Sequence, residues 1–285
     1  MTLEHFSARH RAFRELHESG CFVIPNPWDA GSAKYLEQLG FKALATTSSG
    51  AAWRHAKADG QMTLEEVLVH LKEIVDATGL PVNADFESAY AGDAAGVWRN
   101  VRRAVDTGVA GISIEDSTGD PGMPLRDIPT SVERIRAARA AIDDSGGETL
   151  LVGRAENFFV GRPDLDDAIH RLRAYAEAGA DCLYAPGIKT REQIEAVVHA
   201  VAPKPVNLLV GAPTELTVQE IAALGVRRIS VGGALARSAW GGFMRAAQMI
   251  ATEGTFDGFA GAATGGALNG LFPAGSASQH TSRSR

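Results

Sequence analysis

Cysteine is scarce in this chain. Two cysteines, Cys21 and Cys182, cannot build a disulfide framework, and they have no zinc-motif spacing. Nothing requires an oxidising compartment, so a reducing cytoplasm is the expected location. A basic stripe is also missing. The 28 Lys and Arg against 34 Asp and Glu leave a net charge of −6, which argues against phosphate neutralisation and so against a nucleic-acid partner. No apolar run approaches the roughly 20 residues of a membrane span, so no membrane partner is expected. The segment from Met1 to Gly20 is charged and lacks an apolar centre, unlike a secretory signal. It reads instead as a helix with Phe6, Phe13 and Leu16 on one side. No Gly-x-Gly-x-x-Gly follows the first strand-like run, which disfavours an open dinucleotide-binding sheet.

What is present is a repeated unit. An amphipathic helix ends in Gly and an apolar run follows, as in Leu39-Gly40-Phe41, Thr107-Gly108-Val109, Ala178-Gly179-Ala180 and Leu224-Gly225-Val226. Glycine supplies the left-handed residue that closes a helix, and the run after it is too short to be another. Eight strands are expected near 21–25, 43–47, 82–85, 111–115, 150–154, 182–185, 206–210 and 228–231. Helices are expected near 30–39, 63–77, 94–107, 130–143, 165–178, 190–200, 217–224 and 234–253. Strict alternation gives a parallel sheet with right-handed crossovers, and eight units close into a TIM (β/α)8 barrel. Residues 1–255 are expected to form one barrel domain with an N-terminal helix, and 256–285 a C-terminal extension, partly irregular or mobile. The connections 48–62 and 116–129 are long and lie on the C-terminal face, where barrels carry binding loops.

The chemistry-bearing residues stand at strand ends. Asp85 and Glu87 are two apart and share a face if the strand continues through both. Glu115 ends the next strand. Three carboxylates gathered at one barrel mouth repel one another unless a cation joins them, and oxygen-only ligation suits Mg²⁺ or Mn²⁺. The alternative is that such acids cap the following helices, a role expected for Asp93 and Asp116.

With these residues in place, the chain resembles the isocitrate lyase/phosphoenolpyruvate mutase superfamily over about residues 5–255. The resemblance is carried by Pro25-Asn26-Pro27-Trp28-Asp29-Ala30-Gly31-Ser32, Asp85-Phe86-Glu87, Gly111-Ile112-Ser113-Ile114-Glu115-Asp116 and Arg154-Ala155-Glu156-Asn157-Phe158, in that order. It implies a Mg²⁺-dependent barrel acting on a small 2-oxo acid. Asp85 is implied as the direct metal ligand, with Asp59, Glu87 and Glu115 holding the metal's waters. Backbone N–H groups of Ser49 and Gly50, assisted by Ser48, are implied to bind the substrate carboxylate or enolate oxygen. Arg154 is implied to pair with a carboxylate, and Trp28 and Asn207 to contact substrate. Ser48, Arg154 and Glu115 form the implied catalytic group. Exchange of an eighth helix between subunits is also implied, which makes 234–253 a candidate swapped helix in a homo-dimer or homo-tetramer.

A divalent ion chelated by a 2-oxo carboxylate polarises the carbonyl, and fixed N–H donors stabilise the enolate left when a bond at C3 breaks. Carbon–carbon cleavage, decarboxylation and carbon–phosphorus chemistry all pass through that species. The departures from the family pattern narrow the choice. The lyase loop Lys-x-Cys-Gly-His is replaced by Ser117-Thr118-Gly119-Asp120-Pro121-Gly122, and the Lys- and Asn-bearing loop of the mutases is absent too. The leading expectation is a Mg²⁺-dependent lyase or decarboxylase of a small 2-oxo or 2-hydroxy (di)carboxylic acid. The competing expectations are phosphoenolpyruvate mutase-like or phosphonopyruvate hydrolase-like chemistry, and a barrel that binds 2-oxo acids without turnover. Tyr184 is a further candidate for proton transfer, and Gly232-Gly233 for phosphate.

Overall fold

The computed structural model describes residues 3–272, with side chains from residue 8 onward. Its elements run α1 (Leu3–Glu18), β1 (Phe22–Ile24), α2 (Ala30–Gln38), β2 (Leu44–Ala45), α3 (Ser48–Arg54), α4 (Leu64–Ala77), β3 (Val82–Asp85), α5 (Ala94–Val105), β4 (Gly111–Glu115), α6 (Ile128–Asp143), β5 (Leu150–Arg154), α7 (Leu165–Glu177), β6 (Cys182–Tyr184), α8 (Arg191–Val201), β7 (Val206–Leu209), α9 (Val218–Ala223), β8 (Arg228–Ser230), α10 (Ala234–Glu253) and α11 (Gly265–Leu271). All strand pairs are parallel, in the order β1-β8-β7-β6-β5-β4-β3-β2. Between β1 and β2 the ring is completed by the Ala45 N–H, which donates to the Pro25 carbonyl at 3.0 Å. The result is the expected eight-stranded TIM barrel.

Local chemistry sets the element ends. The helices from α2 to α9 start on Asp or Thr. Thr63, Thr190 and Thr217 each accept from the N–H three residues on, while Glu66, Gln193 and Glu220 reach back. Each such cap is worth about 1 kcal/mol. At the other end Gly108, φ +89°, takes the left-handed turn that sends the chain from α5 into β4. Asp93 caps α5 as expected, accepting from Gly96 N–H at 2.7 Å. Asp116 does not cap α6, a position taken by Asp127. It is buried instead, for reasons that emerge at the site.

Strand alternation divides the core in two. Ile112 and Ile114 of β4, with Leu151, Leu183 and Ile229 of other strands, face outward into one large cluster beneath the helices. Burying each of these side chains contributes about 1.5–3 kcal/mol. Toward the C-terminal mouth many inward positions are small or polar, among them Asn83, Ser113, Asn207 and Ser230. At the N-terminal mouth α1 acts as a plug: Phe13 is fully buried against Phe22, Ile24, Ala43 and Leu150, with Leu16 beside it. Arg9 fixes this plug by donating to the carbonyls of Val75 (3.0 Å) and Thr78 (2.6 Å). Phe6 lies outside the described side chains.

Two departures from the sequence reading concern loops. Residues 48–54 form α3 rather than an open loop, because Thr47 caps a run of small residues. Residues 265–271, within a stretch expected to be irregular, form α11 behind the cap Thr264. The chain divides into two compact units, one ending at Ala239 and one beginning at Trp240. In the second unit Trp240 and Phe243 meet edge-to-face with centroids 5.4 Å apart, and Phe243, Met244, Phe256 and Phe259 are exposed. The tail expected at 274–285 lies outside the described residues. Among the described residues no helix is long and apolar enough to cross a membrane.

Candidate active site

The C-terminal mouth of the barrel opens into a cavity of about 580 Å³. Ser48, Ser49, Asp59, Asp85, Arg154 and Asn207 line it together, although they come from five separate stretches of chain. Trp28, Gly50, Glu87 and Glu115 are not among its lining residues. Trp28 and Gly50 stand in the wall behind it: a Cβ on Gly50 would come within 2.9 Å of Trp28 Cβ and 2.7 Å of Thr47 Cγ2.

Arg154 is the centre of the site. It ends β5, in register with Glu115 at the end of β4 and Tyr184 at the end of β6. Its Nη1 lies 3.0 Å from Asp85 Oδ1 and 3.3 Å from Glu115 Oε2, and its Nε donates to Glu156 Oε1. The guanidinium also stands 5.2 Å over the Tyr184 ring. Burial alone would lower the Arg154 pKa, but Glu156, Glu115 and Asp85 outweigh it and hold it well above the ordinary value. Three carboxylates thus share one cation. Burial, only partly offset by Arg154, pushes the Glu115 carboxyl well above the usual carboxylate range.

Asp85 is held from both sides. Its own N–H donates to Thr46 Oγ1 at 2.9 Å, and its Oδ2 accepts from the Ser48 N–H at 3.0 Å. The Ser48 N–H is therefore engaged by an acid, and the Gly50 N–H turns to its cap, Thr47 Oγ1, at 3.4 Å. Asp59 belongs to an exposed stretch of loop, yet its carboxyl faces the cavity. Burial of that carboxyl and the nearby Asp85 raise its pKa, and a hydrogen bond from Ser48 partly offsets them.

Glu87 departs from the sequence reading. Strand β3 ends at Asp85, and Glu87 has φ +45°, followed by Ala89 at +57° and Tyr90 at +51°. Left-handed backbone at residues other than glycine costs about 1–3 kcal/mol each and clusters at functional sites. The strand face therefore does not continue from Asp85 to Glu87. Fully buried Phe86, with its ring centroid 5.4 Å from that of Tyr90, anchors the turn, and the Tyr90 hydroxyl donates to Glu87 Oε1 at 2.7 Å. Burial, then repulsion from Asp85 and Asp59, pushes the Glu87 carboxyl up to about 7.

Behind this layer is Asp116, which the sequence reading assigned to helix capping. Its Oδ1 accepts from the Glu156 N–H at 2.9 Å, and its Oδ2 from the Tyr175 hydroxyl at 2.6 Å and Arg171 Nη1 at 3.1 Å. It pins the loop after β5 to the end of β4 and so positions Glu156 against Arg154. Asn207 is fully buried. Its Oδ1 accepts from Arg228 Nε at 2.8 Å and its Nδ2 donates to Ser230 Oγ at 2.9 Å. Tyr184 lines the cavity with its hydroxyl pKa raised to about 12, chiefly by burial, so it remains protonated at neutral pH. At the Gly232-Gly233 turn the Gly232 N–H already donates to Asn26 Oδ1 at 2.8 Å. A Cβ on Gly233 would lie 2.6 Å from Ser49 Oγ and 3.2 Å from Trp53. Close packing accounts for Gly233, and the left-handed backbone at φ +52° accounts for Gly232.

The acids suit a hard divalent cation in kind: oxygen donors only, with more negative charge than Arg154 balances. As the side chains stand, Arg154 holds Asp85 and Glu115. Among the described residues, no three His, Cys, Asp or Glu side chains are gathered so as to hold a metal ion.

Comparison with known proteins supplies the class, that of a lyase. The family model of phosphoenolpyruvate phosphomutase matches residues 13–251. The chain belongs to that family, within the phosphoenolpyruvate mutase/isocitrate lyase superfamily. It is 31% identical over 234 residues to oxaloacetate decarboxylase of Paraburkholderia xenovorans (strain LB400), covering 79% of this chain and 75% of that one. It is 30% identical over 210 residues to 2,3-dimethylmalate lyase of Eubacterium barkeri, covering 71% and 72%. A crystal structure from Burkholderia cenocepacia J2315, provisionally assigned as a lyase or mutase, superposes with a TM-score of 0.92 at 45% identity, covering 95% of this chain and 98% of that one.

The sequence reading gave no individual role to Thr46, Asn83, Ser230 or Arg228, all of which line the cavity. The available signal was strand parity: Asn83 precedes Asp85 by two, and Arg228 precedes Ser230 by two, so each pair shares the inward face.

Proposed function

We propose that this chain is a divalent-metal-dependent lyase or decarboxylase of a small 2-oxo or 2-hydroxy (di)carboxylic acid. The observation that carries the reading is the single guanidinium of Arg154 at the cavity wall, shared among Asp85, Glu115 and Glu156. A substrate carboxylate competes for that planar fork, which is suited to two parallel hydrogen bonds. As Arg154 turns to the substrate, Asp85 is freed of its cationic partner.

Asp85 is then the direct ligand for Mg²⁺ or Mn²⁺, with Asp59, Glu87 and Glu115 around it. The ion, when bound, supplies Lewis-acid polarisation of the 2-oxo group. The chain's own residues do the rest. Arg154 orients the substrate carboxylate. Ser48 and Ser49 present hydroxyls to the cavity. In a 2-oxo substrate the electron pair of the breaking C3–C4 bond passes into the C2 carbonyl, giving the enolate of the 2-oxo product, which then takes a proton at C3. In a 2-hydroxy substrate the 2-hydroxyl gives up its proton as the C2–C3 bond breaks. That leaves the 2-oxo acid and the enolate of the departing carboxylate, which takes a proton at its own α-carbon. Tyr184, whose hydroxyl keeps its proton at neutral pH, is the candidate proton donor on this reading and not a base. The names of the relatives, oxaloacetate decarboxylase and 2,3-dimethylmalate lyase, support four- to six-carbon acids as the substrate class.

The test is product release from a panel of oxaloacetate, 2-alkylmalates and phosphonopyruvate, with and without Mg²⁺. Pyruvate or another 2-oxo acid released from a carbon-only substrate in Mg²⁺ is expected. Phosphate released from phosphonopyruvate instead would replace this reading with carbon–phosphorus chemistry. Tight binding without any product would reduce the protein to a 2-oxo acid binder.

A further inference from the structure

Below the level of Asp85 the barrel interior holds a charge that no acid answers. Arg228 opens β8 facing inward and is only 2% exposed, yet it lines the same cavity as Arg154. Its Nε donates to Asn207 Oδ1 at 2.8 Å and its Nη1 to Asn83 Oδ1 at 3.2 Å. Nη1 also lies 3.5 Å from His17 Nε2. All three partners are uncharged: two are carboxamides, and burial, with repulsion from Arg228, holds His17 down to about 3. The titratable groups acting on this guanidinium are Cys182 and Tyr184, which burial keeps protonated. Nη2 makes no hydrogen bond among the described residues. An arginine cannot shed its proton in a protein, and an enclosed cation without a countercharge is destabilising. Arg154, by contrast, has three carboxylates.

The walls leave a route to it. Asn83, which Arg228 touches, lies two residues before Asp85 on the same face of β3, about 6–7 Å deeper along the strand. The intervening inward residues are small: Ala45, Ser113 and Ser230 all line the cavity. On the side of β7, β8 and β1 the polar lining includes Asn207, Ser230 and Asn26 beside apolar Leu208, Leu209 and Val231, and it contains no acid.

We propose that Arg228, with Asn207 and Asn83, forms the floor of an anion subsite inside the barrel. The subsite takes a small anion, either the far carboxylate of a dicarboxylic substrate or a free halide-sized ion. The substrate source rests on the function proposed above; the subsite itself does not.

Two measurements on the full-length protein test it. In the first, crystals are soaked in sodium bromide or in sodium malonate and the contacts of the Arg228 guanidinium are read by diffraction. A bromide peak in hydrogen-bonding contact identifies a free-ion site, and a malonate carboxylate there with no bromide identifies a carboxylate site. Neither anion at Arg228 overturns the proposal, and this arm needs neither turnover nor a variant. The second compares Arg228→Met and Arg228→Lys with the wild type by calorimetry, for the bound anion. Removing a charged hydrogen-bond donor is expected to weaken binding about ten- to hundredfold in Arg228→Met, with Lys recovering part of it. Unchanged affinity in a folded Arg228→Met would also overturn the proposal. If the wild type turns over no acid at all, the functional reading fails while the diffraction result still decides the subsite.

Discussion

Arg154 Nη1 lies 3.0 Å from Asp85 Oδ1 and 3.3 Å from Glu115 Oε2, so one nitrogen holds two acids from two neighbouring strands. The cation that closes the acid ring is thus also the group best shaped to take a substrate carboxylate. On the proposed function, site assembly and substrate binding are linked through one side chain.

Asp85→Ala is expected to abolish Mg²⁺-dependent binding of oxalate or pyruvate while leaving the fold intact. Asp85 lies at the end of its strand, and its side chain supports only the Ser48 N–H and Arg154. Calorimetry that finds the Mg²⁺-dependent heat unchanged in the variant would remove Asp85 from the metal assignment.

Arg154→Lys keeps the charge and loses the fork. A lysine cannot serve Glu156 through one nitrogen and Asp85 with Glu115 through another. Loss of one oriented donor at a reacting site typically costs 10²–10³ in rate, so kcat/KM is expected to fall by about that factor. Steady-state kinetics on whichever substrate the panel identifies provide the check, and a decrease of less than tenfold would contradict the central role of Arg154.

Acid sensitivity is expected from His70 in α4. It is 3% exposed, both ring nitrogens lack a hydrogen-bond partner, and burial lowers its pKa to about 4. The unfolded chain takes up this proton near 6.5 and the folded chain only near 4. Its contribution is therefore complete above about 6.5 and lost as pH falls toward 4, a change of about 2–3 kcal/mol. His70→Leu is expected to raise stability at pH 7 and to flatten the decline between pH 6.5 and 4.5. Denaturant midpoints across that range would show a parallel decline in both proteins if His70 is not responsible.

Cleavage of isocitrate to glyoxylate and succinate is expected to be negligible. The turn after Glu115-Asp116 holds Ser117 in an isolated antiparallel bridge with Leu125 and contains no Cys, Lys or His. A positioned general acid or base is worth about 10²–10⁴ in rate, and Tyr184, raised to about 12, is no base at neutral pH. A coupled glyoxylate assay giving about 1 s⁻¹ or more would show that another residue supplies the proton.

Association is expected through α10. Phe243 and Met244 are each 61% exposed and Trp240 39%, an apolar set of the kind that marks contact surfaces. Sedimentation is expected to give a dimer or tetramer for the wild type and a smaller species for Phe243→Arg with Met244→Arg. A monomeric wild type would exclude the swapped-helix reading.

The sequence by itself determined the barrel and most of its boundaries, because those signals are local. Glycine at helix ends, Asp or Thr at helix starts and apolar strand runs each act within a few residues. Gly111–Glu115 and Leu150–Arg154 fall where periodicity places them. It also named Asp85 and Arg154, since acids and arginines at strand ends are visible as such. Tertiary structure alone decided what each does. Asp116 looked like a helix cap, but contacts from α7 and the loop after β5 made it a buried acceptor. Glu87 looked like a strand neighbour of Asp85, but packing of Phe86 turned the backbone left-handed and gave it to Tyr90. Arg228, at the start of the strand expected near 228–231, carried no assigned role in the sequence reading. Only barrel closure, which sets β8 beside β1 and β7, enclosed it with Asn207 and Asn83 and left its charge facing the cavity. Such pairings are fixed by register between strands distant in sequence, and no local pattern encodes that register.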